Sequence, residues 1–225
     1  VGHDVNEMDL PTDDPIAPLR EIPKEHVVFP ALHGPWGEGG GAQTQLVELG
    51  LSFVGFGPAA ARVAMDKHQS RMLAAEHGVA VADGAVVHRG STCPCALPCV
   101  LKPLDEGSSV GLRLLRTDDE ATAAIKNLSG PALCEAFVPG RECTVPWVLG
   151  QVLPVVEITP ATDLYDHEAK YLRDDTIFTV EPEIDPEVHA ALREATKRMA
   201  ARLNARHLGR ADFILGPQGP VFLEW

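Results

Sequence analysis

The sequence predicts a mixed α/β (α+β) protein, and three stretches carry that expectation. First, a short apolar run from His26 to Leu32, a helical stretch from Ala42 to Leu49 and a second apolar run from Leu51 to Val54 make a strand–helix–strand unit. Its right-handed crossover implies two strands in one parallel sheet. Second, an apolar run from Pro98 to Leu101 that ends in Lys102 and turns at Pro103, and a second run from Val110 to Leu115, flank a polar loop, which reads as a hairpin. Third, an amphipathic helix over Pro186 to Leu208 precedes a closing hairpin, Arg210 to Leu215 and Pro220 to Glu224, turned at Pro217-Gln218-Gly219.

The bulk composition narrows the function classes. With 225 residues, 45% of them apolar, the chain can bury substantial cores. A net charge of −13 argues against a nucleic-acid partner or an anionic membrane, both of which call for a basic face. A phosphate ligand stays open, because a few local cations can outweigh the overall sign. No apolar run approaches the roughly 18–20 residues that span a bilayer, and no signal peptide is visible. The expectation is a soluble cytoplasmic protein. The chain opens at Val1 without a methionine and stops at Glu224-Trp225 inside a strand-like run, so residues are expected to be missing at both ends.

In order along the chain, Val1 to Ile22 is polar with a strand-like piece at Met8 to Leu10. The run from His26 to Leu32 reads as a buried parallel strand. It leads into the glycine-rich stretch His33 to Gly41, a loop opening the first helix, which Gly50 stops. Two helices, Pro58 to Met65 and Lys67 to His77, break near Asp66, and Gly78 ends the second. Strand character follows over Val79 to Val87. A helix is expected from Asp118 to Leu128, with Asp118 and Glu120 favourable at its start. Strands follow at Pro131 to Val138, from Glu142, and at Val152 to Ile158, then a polar loop at Asp163 to Arg173. Gly209 is expected to end the long helix. Cys93, Cys95 and Cys99 crowd one proline-rich loop, while Cys134 and Cys143 have apolar surroundings. Their spacing matches no paired C-x2-C pattern, so they read as small buried apolar residues rather than a zinc cluster.

The residues suited to chemistry gather on the hairpins. Lys102 offers a point charge to a phosphate, and Gly107 frees the following loop to take unusual backbone angles with its N–H groups toward an anion. Asp212 and Glu224 stand on adjacent strands inside apolar runs, where each needs a neutralising partner. Mg2+ would serve, completing its octahedron with water and phosphate oxygens. A plain ion pair with Arg210 is the alternative. Lys67, Lys102, Lys170 and Arg210 supply cations for a polyphosphate.

In order, His33-Gly34-x-x-Gly37-Glu38, Ala64-Met65-Asp66-Lys67, Val100-Leu101-Lys102-Pro103, Glu106-Gly107-Ser108-Ser109-Val110-Gly111 and Pro139-Gly140-Arg141-Glu142-x-Thr144-Val145 are followed by Leu153 to Ile158, Tyr165 to Tyr171, Gly209-Arg210-x-Asp212 and Leu223-Glu224. This ordered set resembles the D-alanine–D-alanine ligases of the ATP-grasp superfamily, over residues 25 to 225. The resemblance implies an ATP-grasp fold in three parts: an N-terminal α/β domain (1–60), a central subdomain (61–138) and a C-terminal subdomain (139–225). It implies ATP and Mg2+ (or Mn2+), with D-alanine as the other substrate, and a homodimer formed through the N-terminal domain. Lys67 and Lys102 correspond to lysines on the nucleotide phosphates, Glu135 to an acidic residue near adenine, Phe137 and Val138 to the purine pocket, and Glu142 to a ribose contact. Lys170 corresponds to a γ-phosphate contact. Ser108 and Tyr171 correspond to a pair that positions the first substrate and closes a loop. Arg210 corresponds to the residue that stabilises the tetrahedral intermediate, Asp212 and Glu224 to the metal ligands, and His33 and Glu38 to the substrate-side loop.

The chain departs from that pattern in places. Glu38-Gly39-Gly40 stands where the family has Glu-Asp-Gly, and the family's first glycine-rich strand and closing Asn-Thr-x-Pro-Gly are not in the sequence. The expectation is a D-alanine–D-alanine ligase serving peptidoglycan synthesis. The alternatives are an ATP-grasp ligase of another amino-acid or hydroxy-acid pair, and a nucleotide-binding module that has lost catalysis.

Overall fold

Three sheets follow one another in the computed structural model, which describes residues 2–107, 109–160 and 175–225. The first region contains α1 (Ala17–Arg20), β1 (Val27–Val28), α2 (Gly34–Gly37), α3 (Gly41–Glu48) and β2 (Ser52–Phe53). The expected parallel pairing is present, with Val27 opposite Ser52 and Val28 opposite Phe53. Leu19, Leu46, Leu51 and Phe53 form its small core. Three expectations need correction here. Met8 to Leu10 forms no strand; Leu10 packs against the small core instead. The first strand is two residues long and not buried, since Val27 and Phe29 are 66% and 65% exposed. A pair of strands so short has an uncovered side. The glycine-rich stretch is not a plain loop: Gly34–Gly37 makes a helical turn, and Gly40 enters α3 at φ 95°. A Cβ at Gly40 would lie 2.6 Å from the Pro58 carbonyl oxygen, so the close approach of the next helix also demands glycine.

The second region opens with α4 (Pro58–Met65) and α5 (Lys67–Glu76). Asp66 separates them because its carboxylate accepts from the N–H groups of His68 and Gln69, both at 2.9 Å, which caps α5. There follow β3 (Gly84–Val87), β4 (Cys99–Pro103), β5 (Arg113–Leu115), α6 (Asp118–Lys126) and β6 (Ala132–Ala136). The strands form an antiparallel sheet in the order β3-β6-β4-β5. Thr117 and Glu120 cap α6 reciprocally. One sheet face, with Cys99, Leu101, Leu115, Ala132 and Cys134, packs against Ala121, Ala124 and Ile125 of α6. Strand structure at 79–87 starts only at Gly84. Upstream, the Ala80 carbonyl accepts from Phe222 N–H at 2.8 Å and Val81 bridges Phe222, so this stretch joins the second region to the third.

The third region contains β7 (Arg141–Val148), β8 (Gln151–Val152), β9 (Val156–Thr159), β10 (Ile177–Val180), α7 (Pro186–Arg202), β11 (Leu208–Gly216) and β12 (Gly219–Glu224). Its sheet runs β10-β9-β7-β11-β12, with β8 paired to β7. Leu192 and Met199 of α7 pack on Cys143, Val145, Ala211, Phe213 and Phe222, all 2% exposed or less. The long helix stops at Arg202 rather than near Gly209; Asn204 takes φ 50° and the chain is already extended at Leu208. The β10 strand falls where the sequence reading placed none. Among the described residues, no helix is long and apolar enough to cross a membrane.

Arg141 ties β7 to β9. Its Nε and Nη2 donate to Glu157 at 2.6 and 2.7 Å, and this pairing holds the Glu157 carboxyl below its ordinary range. The folded-state pKa is depressed, so the stabilisation is present above the unfolded value of about 4.3 and disappears as pH falls through the folded value. The expected result is that Glu157→Gln melts earlier than the parent at neutral pH, while the two converge in acid. A constant difference in melting temperature across that range would contradict it.

Candidate active site

Alternation along the strands of the second and third regions turns two polar faces toward each other. On β4, Cys99 and Leu101 face α6, so Val100 and Lys102 face the opposite side; on β6, Glu135 lies on that same side. On β7, Cys143 and Val145 face α7, leaving Glu142 and Thr144 on the other face. On β11 the alternation sends Ala211 and Phe213 to the core and Asp212 and Ile214 outward. The cleft between these faces is lined by Lys67, Lys102, Glu135, Glu142, Asp212 and Glu224, with Phe137, Val138 and Leu223 as apolar wall.

Strict alternation on β12 would send Glu224 to the same side as Phe222, which is in the core. The register prevents this. Asp212 pairs with Glu224 and Phe213 with Phe222, so one step on β11 spans two on β12. This bulge brings Leu223 and Glu224 to the cleft together and sets Glu224 directly across from Asp212. Bulges re-aim side chains in this way beside functional sites.

The charges in the cleft are held by specific partners. Lys102 Nζ donates to Glu135 Oε1 at 2.6 Å, both side chains being less than a tenth exposed. Lys67 Nζ donates to the Glu106 carbonyl at 2.6 Å and lies 3.5 Å from Glu224 Oε2. That bond, together with Lys67 N–H to the Leu104 carbonyl at 2.9 Å, fastens the start of α5 to the turn after β4. Asp212 is buried, accepting from Thr144 Oγ1 at 2.6 Å and from Arg210 Nη2 at 3.0 Å. The Arg210 pairing considered from sequence is therefore present. Asp212 and Glu224 remain a pair of hard oxygen donors in register, beside a lysine that faces the same cleft. That donor set fits Mg2+.

The turn over the cleft differs from expectation. Left-handed backbone occurs at Ser109 (φ 58°) and Gly111 (φ 72°), not at Gly107. The second hairpin strand starts at Arg113, because residues 109–112 are occupied by a turn with Val110 N–H bonded to the Gly107 carbonyl at 3.1 Å. A Cβ on Gly111 would sit 3.0 Å from Pro103 Cγ, so this turn packs directly on the end of β4.

Glu38 approaches the same turn from the first region. Its Oε2 accepts from Gly34 N–H at 3.0 Å and lies 3.5 Å from where a Gly107 Cβ would be. His33 is exposed at the start of α2. Ser108, Lys170 and Tyr171 lie outside the described residues. Three contributors went unassigned in the sequence reading. Thr144 holds Asp212. Arg71, buried on α5, has Nε 4.0 Å from Glu135 Oε2 and donates to the Ala82 carbonyl. The Glu106 carbonyl receives Lys67. Arg71 was within reach of sequence reasoning, because it follows Lys67 by four residues on one helix and so shares its face.

Residues 81–224 match the family model described as D-ala D-ala ligase C-terminus. A D-alanine–D-alanine ligase from Laribacter hongkongensis is 34% identical over 230 residues, covering 99% of this chain and 74% of the relative. The chain belongs to the D-alanine–D-alanine ligase family. Solved ligase structures extend the likeness to the fold. One from Bacillus anthracis superposes with a TM-score of 0.74 at 26% identity, covering 87% of this chain and 67% of that one. One from Coxiella burnetii gives 0.75 at 21% identity, covering 88% and 57%. The fold is therefore the ATP-grasp arrangement of the family, and all the cleft residues named above except Lys67 lie within the part of the chain that the family model matches.

Proposed function

We propose that this protein joins two D-alanine molecules to D-alanyl-D-alanine at the expense of ATP, in the cytoplasm, for peptidoglycan synthesis. The observation that carries the reading is the convergence of Lys67, Lys102, Asp212 and Glu224 on one cleft in a member of this family. A carboxylate is a poor electrophile. Attack of its oxygen on the γ-phosphorus of ATP releases ADP and makes an acyl phosphate. The amine of the second D-alanine then bonds to the carbonyl carbon, loses a proton, and phosphate leaves.

The cleft residues divide that work. Lys67 and Lys102 hold the nucleotide phosphates, and Glu135, Phe137, Val138 and Glu142 hold the base and ribose. Asp212 and Glu224 would hold Mg2+, which when bound offsets charge on the transferring phosphoryl group. Arg210, beside Asp212, stabilises the oxyanion of the tetrahedral intermediate. Ser108, Lys170 and Tyr171 are assigned to substrate positioning, γ-phosphate contact and closure, and His33 and Glu38 to the substrate side. A division at 1–60, 61–138 and 139–225 is supported by each sheet falling within one part. A homodimer through the N-terminal domain belongs to the same proposal.

The test is phosphate release by the full-length protein with Mg-ATP and D-alanine, L-alanine or D-lactate. Release that depends on D-alanine, with dipeptide forming in step, is expected. Release driven by a different acid or amine would reassign the substrate, and ATP binding without turnover would favour a module that has lost catalysis.

A further inference from the structure

The face of the β4–β6 pair that points away from the cleft carries a feature the ligase chemistry does not use. Cys99 and Cys134 lie there, fully buried, on adjacent strands. The proline-rich segment ahead of β4 folds back so that Cys93 reaches both of them. The three sulfurs stand 3.7, 3.7 and 3.8 Å apart. All three cysteines are free. A thiolate-bound zinc ion, with Zn–S near 2.3 Å in a tetrahedron, requires sulfurs about 3.8 Å apart. The triangle already has the edge length of one face of such a site. Bare packing of small apolar residues has no need to bring three sulfurs to one point from positions 93, 99 and 134.

We infer that Cys93, Cys99 and Cys134 form a binding site for a thiophilic d10 metal ion of the zinc class. On binding, each thiol loses its proton to solvent and its sulfur donates an electron pair to the ion, so three protons leave per ion taken up. The fourth ligand would be a water molecule or Cys95, which lies two residues from Cys93 with its sulfur 3.5 Å from the Cys134 carbonyl oxygen. Oxygen donors dominate the cleft on the other side of the sheet, so the two sites select different ions. Metal at the thiol site would fasten the segment before β4 to the strands that carry Lys102 and Glu135.

The full-length protein, reduced, stripped with chelator and kept anaerobic, is titrated with Co2+ in excess Mg2+. The expected result is a thiolate-to-cobalt charge-transfer absorption that saturates at one ion per chain and is displaced by Zn2+. Zinc loading should also protect these thiols from a thiol reagent. Cys93→Ala alters only the half-buried loop cysteine and should abolish the absorption while circular dichroism confirms the fold. Cys143→Ala, in the separate core under α7, should retain it. Absence of the absorption in the folded parent, or its persistence at full strength in Cys93→Ala, would overturn the assignment.

Discussion

Lys102→Met is expected to lose both stability and nucleotide affinity, and the two losses should separate in a second variant. Lys102 and Glu135 are a buried pair at 2.6 Å, so removing the lysine leaves a carboxylate with little access to water. Breaking such a pair costs about 3–5 kcal/mol. Arg71, 4.0 Å from the other carboxylate oxygen, should keep the cost near the low end. For a chain of this size that is a fall in melting temperature of roughly 10 °C. Adding Glu135→Gln removes the orphaned charge and should recover most of the stability. It should not recover ATP binding, because the cation proposed to meet the phosphates is still absent. If Lys102→Met melts within a degree or two of the parent, the pair is not the buried linchpin described; if the double variant regains ATP affinity, Lys102 does not meet the phosphates.

How much of this arrangement could be read beforehand depended on whether the information was local. The break between α4 and α5 was legible because Asp66 is a cap whose partners lie two and three residues on. Lys67, Lys102, Asp212 and Glu224 were legible as an ordered set. Their meeting was not, since it requires two sheets to face each other. The bulge on β12 had no signal: a period of two assigns Glu224 to the core side, and only the pairing with β11 shows otherwise. β10 was missed because all four of its residues are exposed, so it lacks the alternation that marks a half-buried strand. The left-handed positions at Ser109 and Gly111 were misplaced to Gly107 because glycine permits that geometry without requiring it. The cysteines show the same limit. Cys134 is brought beside Cys99 by strand pairing across more than thirty residues, and Cys93 reaches both only because the segment before β4 folds back, so linear spacing carries no trace of the cluster.

Arg210→Ala is expected to lower kcat by about 10²–10³-fold at saturating Mg2+, the loss typical of removing one preorganised group that stabilises an oxyanion. The competing account is that Arg210 only neutralises Asp212, whose carboxylate it meets at 3.0 Å. The accounts differ in what else should change. Asp212 is 6% exposed at its side chain and also accepts from Thr144, whereas the Arg210 side chain is 53% exposed. If neutralisation were its whole role, losing Arg210 would leave a buried carboxylate underpartnered. Mg2+ would then bind more tightly to compensate, melting temperature would drop, and turnover at saturating Mg2+ would stay near normal. If the exposed guanidinium instead serves the reacting carbonyl, kcat falls while Mg2+ half-saturation moves little. Arg210→Lys sharpens the choice. A lysine restores the charge beside Asp212 but not the planar fork of donors, so it should rescue stability more than rate. Full recovery of kcat in Arg210→Lys would leave charge alone as the explanation, and a kcat within a few-fold of the parent in Arg210→Ala would remove Arg210 from the chemistry.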